Sequence, residues 1–147
     1  MKGFTLIELI LVILVMTLIA AFSMPFFQSF QISSDLNTEA NTIVQALRRV
    51  QQQAIIGQNN SAWGVYFNSA GKNILLFKGA SYAGRDQEYD QSIDYQPDFS
   101  LATNFGSEIN FAIYTGKPSV NGMATITSQN NESKNISIDS FGLIQIN

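Results

Sequence analysis

Lys2-Gly3-Phe4-Thr5-Leu6-Ile7-Glu8-Leu9-Ile10-Leu11-Val12 opens a stretch from which charge all but disappears. Up to Ser34 the only ionisable side chains are Lys2 and Glu8, and between Phe4 and Phe27 the only polar ones are Thr5, Glu8, Thr17 and Ser23. A helix needs roughly 20 apolar residues to cross a bilayer, and this run supplies them. Lys2 precedes it and the next cation is Arg48, so the positive-inside rule puts the N-terminus in the cytoplasm and the remainder outside. A cleaved secretory signal is the competing reading, but Glu8 interrupts the apolar run and no clear A-x-A site follows it. A carboxylate at mid-bilayer costs about 2.5–3.5 kcal/mol on insertion scales, less near the interface, so Glu8 needs a partner.

The residues after the run also argue for a retained helix. Leu36, Ala40, Ile43, Val44, Leu47, Val50, Ala54 and Ile55 recur at steps of three and four, with Asn37, Asn41, Gln45, Arg48, Arg49 and Gln52 between them. No strong stop separates the two stretches, which predicts one helix from about Phe4 to Ile56, about 80 Å long at ~1.5 Å per residue. Pro25 removes a backbone donor inside it and predicts a kink. Gly57, followed by Gln58, Asn59 and Asn60, is the expected stop.

Beyond Gly57 the apolar period falls from 3.6 to 2. Trp63, Val65 and Phe67 alternate with Gly64 and Tyr66, and Ile74 to Lys78 return as the second arm of a hairpin. Gly79 to Gly106 reads as a polar, irregular surface region with a short extended piece near Ile93 to Tyr95. Ile109 to Ile113, Met123 to Ser128, Asn135 to Asp139 and Leu143 to Ile146 read as further strands. The fold class is therefore α+β, a long N-terminal helix packed on a small, mostly antiparallel β head. The expected divisions are a leader at 1–3, a membrane-spanning half at 4–27, an amphipathic half at 28–57 and the head at 58–147. So small a head gains core by packing on the amphipathic half.

Composition excludes much chemistry. The 147 residues are 46% hydrophobic and 13% charged, about half the ~25% charge of an average soluble domain. With Cys 0 and His 0, disulfides, thiolate nucleophiles, zinc clusters and the commonest general base are all absent. A net charge of -3 and a pI of about 4.7 argue against a nonspecific grip on nucleic acid. No enzyme activity, metal or cofactor is expected.

The opening motif closely resembles the class III leader and N-terminus of type IV pilins and of the pseudopilins of type II secretion. The resemblance implies cleavage by a prepilin peptidase between Gly3 and Phe4, and N-methylation of Phe4. It implies that Glu8 pairs with the N-terminal ammonium of a neighbouring subunit and sets the register of assembly, and that Pro25 marks a family kink. Lys2 leaves with the leader, and Arg48 is far along the chain, so the partner of Glu8 comes from outside. The head is similar to the GspH/FimT minor group through Leu47-Arg48-Arg49-Val50, Trp63-Gly64-Val65, Ile109-Asn110-Phe111 with Gly116, Ile136-Ser137-Ile138-Asp139 and Gly142-Leu143-Ile144. Expected partners are other pilin or pseudopilin subunits, the peptidase, the inner-membrane assembly platform and, before assembly, the bacterial inner membrane itself. The implied role is structural, as a minor component of a type IV pilus or type II secretion pseudopilus exported into an extracytoplasmic filament. The alternative is a tip receptor for DNA, an exoprotein or a surface.

Weaker signals are set against plainer readings. Asp86, Glu88, Asp90 and Asp94 resemble the start of a calcium loop, but Gln91 stands where glycine is needed and Pro97 where the bidentate glutamate belongs, so they read as a solvated acidic loop. Arg48 and Arg49 read as a solvated face or subunit contact, because the final strand carries no cation and the remaining lysines are scattered. DNA is not an expected partner. Trp63, Tyr66, Phe67 and Phe77 read as core or sheet-face aromatics.

Overall fold

Thr5 begins the regular structure in the computed structural model of the chain. Its side chain and that of Glu8 cap helix α1 (Leu6–Ile55), the opening element. The structure describes residues 3–147, apart from the side chains of 23–26 and 28. Met1 and Lys2 of the expected leader lie outside the described residues. The chain divides into two compact units, one ending at Ser34 and the other spanning Asp35 to Asn147. Pro25 falls within the helical span, and its side chain lies outside the described residues. Among the described residues no helix is long and apolar enough to cross a membrane. The described side chains of the apolar run stop at Phe22 and resume at Phe27.

At its other end the helix stops where a left-handed residue is required. Gly57 has φ 64°, and its N–H donates to Ala54 O at 3.0 Å. A Cβ there would overlap the ring of Tyr114, whose own N–H donates to Ala54 O at 2.9 Å. A short 3-10 turn, Gln58–Asn60, follows.

Eight strands build the head: β1 (Trp63–Asn68), β2 (Asn73–Lys78), β3 (Asp86–Asp94), β4 (Ser100–Thr103), β5 (Glu108–Phe111), β6 (Gly122–Thr127), β7 (Ser133–Ile138) and β8 (Ile144–Ile146). They form two four-stranded antiparallel sheets, ordered β3-β2-β1-β5 and β4-β6-β7-β8. The β1–β2 hairpin pairs Trp63 with Lys78 and Asn68 with Asn73.

Period-2 alternation aims Trp63, Val65, Phe67, Ile74 and Leu76 from the first sheet inward, and Leu101, Ala124, Ile126, Ile136, Ile138 and Ile144 from the second. Leu36, Ala40, Ile43, Val44, Ala46, Leu47, Val50 and Ala54 of the helix belong to the same buried cluster, so helix and sheets share one core. Each fully buried Leu, Ile or Val contributes about 1.5–3 kcal/mol.

Three sequence expectations need correction. The region Gly79 to Gly106 is not irregular, because it supplies β3 and β4. Its acidic residues masked the alternation: only Tyr89 and Ile93 of β3 pack on the core, and the register shifts opposite Leu76 and Lys78. Ile55 leaves the buried face, being 44% exposed, while Ala46 takes a core place. The strand from Ile109 ends at Phe111 rather than Ile113, where Tyr114 (φ 63°) and Gly116 (φ 62°) turn the chain.

Candidate functional site at the helix N-terminus

Ahead of α1, Gly3 and Phe4 carry no regular structure, and a Cβ at Gly3 would meet nothing within 4 Å. Phe4 is 87% exposed. This pair is thus an exposed segment without regular structure immediately before the helix.

The first turn is built by Thr5 and Glu8. The Glu8 carboxylate accepts from the main-chain N–H and the hydroxyl of Thr5, both at 3.0 Å, and the Glu8 N–H donates back to the Thr5 hydroxyl at 3.4 Å. This reciprocal arrangement is a capping box, which occupies helix donors that otherwise lack a partner. The role of Thr5 escaped the sequence reading, although Thr-x-x-Glu before an apolar run signals it. Glu8 thus has hydrogen-bond partners inside its own chain. Neither of the two ion pairs among the described residues includes it.

Every large apolar side chain from Leu6 to Phe22 is exposed. The hydroxyl of Thr17 turns back on Leu14 O at 2.8 Å, so it adds no polarity to this surface. A helix apolar all round requires an apolar environment, lipid or other helices. The structure therefore brings Gly3, Phe4 and Glu8 together at the end of an uncovered apolar helix. Pro25 is separate, further along α1.

The head's weaker candidates resolve into structure. Asp86, Glu88, Asp90 and Asp94 lie on strand β3, not in a loop. Asp86 pairs with Lys78 at 3.1 Å and Asp90 with Arg85 at 2.8 Å. Hydrogen bonding to Asp90 holds the Arg85 guanidinium above its ordinary pKa. Among the described residues no group of three or more acidic side chains could hold a metal ion. Arg48 donates to Ile144 O at 3.0 Å, and Arg49 is exposed.

Trp63 and Phe67 are core residues, whereas Phe77, on the outer face of the first sheet, is buried by Tyr82. Tyr82 stacks on Tyr66 with centroids 3.8 Å apart, carries Arg85 4.0 Å above its ring, and donates its N–H to Glu108 at 2.7 Å. Phe77 crosses Gly64, where any Cβ would overlap its ring and Asn110 Oδ1.

This long N-terminal helix on antiparallel sheets is the fold of the minor pilins and pseudopilins. One similar structure is the minor pseudopilin EpsH from the type 2 secretion system of Vibrio cholerae, with TM-score 0.60 and 10% identity over 77% of this chain and 96% of that one. A second EpsH structure gives TM-score 0.59 and 9% identity over 77% and 93% of the two chains. Another is the type IV minor pilin FimU of Pseudomonas aeruginosa, with TM-score 0.59 and 16% identity over 76% of this chain and 92% of that one. No family model matches the sequence, and no curated protein matches it.

Proposed function

We propose that the chain is a structural subunit of a pilin-like fibre, a minor component of a type IV pilus or a type II secretion pseudopilus. The observation that carries this reading is Glu8, an acid in the first turn of a helix whose apolar surface is uncovered from Leu6 to Phe22. Among helices of its own kind, the apolar surface is buried. The one charge along that run then needs a cation, which the ammonium of a cleaved Phe4 on a neighbouring subunit supplies. In that low-dielectric bundle the attraction is stronger than in water and penalises wrong registers.

Cleavage between Gly3 and Phe4 by a prepilin peptidase, with methylation of Phe4, generates the ammonium at the required place. Before assembly the segment Phe4 to Phe27 stores the subunit in the inner membrane with its N-terminus in the cytoplasm, and an assembly platform draws it into the fibre. Pro25 provides a point where helical backbone yields during the transfer. No catalytic role belongs to the chain.

Intact-mass measurement on native material, with immunogold labelling of sheared fibres, tests the proposal. The expected mass lacks Met1 to Gly3 and carries one extra methyl, and label appears on the fibres. Unprocessed protein, or processed protein absent from fibres, overturns it.

A further inference from the structure

The two sheets of the head have four edges, and at three of them another part of the chain bonds to main-chain groups of the edge strand or its flanking residues. At β5, Ala112 N–H donates to Lys117 O at 2.9 Å and Ser119 N–H to Asn110 O at 2.7 Å, beside a bridge from Phe111 to Pro118. At β4, Phe99 O and Leu101 O accept from Lys72 Nζ and Ser69 Oγ, both at 2.7 Å. At β8, the helix lays Arg48 against Ile144 O. The remaining edge is β3, the longest strand of the head at nine residues.

The hydrogen-bond phase of β3 is set by Tyr95 N–H, which donates to Lys72 O at 3.0 Å. Alternation then turns the main-chain groups of Gln91 and Ile93 toward β2, and those of Ser92 and Asp94 outward. Ser92 and Asp94 are exposed, and among the described residues no main-chain bond to another segment closes their side. An open ladder of this kind is a template for one more strand.

Charge selects the occupant. Glu88 and Asp94 belong to neither ion pair found among the described residues. A second copy pairing antiparallel about Ser92 would set Asp90 opposite Asp94, and like charges directly opposite are destabilising. A strand with Lys or Arg at alternate positions meets the same carboxylates favourably, and apolar residues between them fall on the side of Ile93, which packs on the core.

We propose that the free edge of β3 binds an extended, basic segment of a partner protein as an added strand. The site is in the head and stands independently of the role given to Glu8. The probe is a fluorescein-labelled peptide, acetyl-Lys-Val-Lys-Val-Lys-amide, added to the full chain in nonionic detergent micelles, with anisotropy and amide hydrogen exchange as readouts. On saturation, exchange at Ser92 and Asp94 is expected to slow by about tenfold or more as their N–H groups enter a ladder. The double variant Glu88→Gln/Asp94→Asn is expected to weaken binding by about fivefold at low salt. Ser92→Pro removes one outward donor without breaking the inward ladder, and is expected to abolish both binding and protection. Binding without slower exchange at Ser92 and Asp94 would reveal charge attraction alone and overturn the proposal. So would undiminished binding by either variant, or protection that grows with protein concentration when no peptide is present. Should Ser92→Pro misfold, exchange in the unaltered chain still decides.

Discussion

Glu8 accepts two hydrogen bonds from Thr5, one from its main-chain N–H and one from its hydroxyl, so the acid that opens the apolar helix is also part of its cap. Two functions thus share one carboxylate: helix capping within the chain and, on the proposed reading, charge pairing between chains.

The two functions separate by substitution. Glutamine satisfies a capping box as glutamate does, so Glu8→Gln should retain helix content by circular dichroism while losing incorporation into fibres. Thr5→Ala should do the reverse. It should fray the first turn, at a cost of about 1 kcal/mol, and still be incorporated. Fibre incorporation of Glu8→Gln at the normal level would refute the pairing role.

Gly3 and Phe4 lie outside the helix with open space around Gly3, and on the proposed reading glycine there lets the backbone approach a peptidase closely. Gly3→Leu is expected to accumulate as precursor with no change in the unfolding of the head. Intact mass reads the processing directly, and a fully trimmed Gly3→Leu protein would contradict the assignment.

Gly64 has no room for a methyl group between Phe77 and Asn110 Oδ1, and Tyr82 closes the space above Phe77. Gly64→Ala should destabilise the head by about 1–3 kcal/mol, the usual cost of overpacking, with Gly64→Val worse. Thermal unfolding followed by near-UV circular dichroism would register the loss, and an unchanged midpoint would show that Phe77 moves freely.

Tyr95 is 5% exposed, and its hydroxyl has no hydrogen-bond partner. Burial pushes its phenol above the ordinary value of 10.0. The folded state therefore holds the proton after the unfolded chain has begun to release it. Stability from this residue is intact below pH about 10 and falls as pH rises toward the folded pKa. Tyr95→Phe should flatten that alkaline decline and leave neutral-pH stability unchanged or raised by up to ~1 kcal/mol. Denaturant midpoints at pH 7 and above pH 10 measure both effects.

The helix was legible because its signals are local and redundant: a long, largely apolar run, then Leu36, Ala40, Ile43 and Leu47 at helical spacing, then Gly57. The β1–β2 hairpin was equally plain, since Trp63, Val65 and Phe67 bury one face only. β3 was not, because an edge strand has little to bury and displays acids instead, and its register shift breaks the alternation that a reader looks for. Ile55 kept the period of the buried face but is the last residue of the helix, where it lies beside Gly116 and stays 44% exposed. At the N-terminus, Gly3, Phe4 and Glu8 were singled out by motif. Thr5 was missed because Glu8 was treated only as a costly charge in lipid and not as a hydrogen-bond acceptor for its own turn.

The amide nitrogen of Gln51 donates to two carbonyls, Gly116 O at 3.1 Å and Gly142 O at 2.8 Å, one in the loop after β5 and one in the loop before β8. A single helix side chain is thereby bonded to two separate loops of the head. Loss of either contact therefore leaves the side chain bonded to the other loop. If the chain is the fibre subunit proposed above, three residues thus anchor its helix to two loops of the head at once.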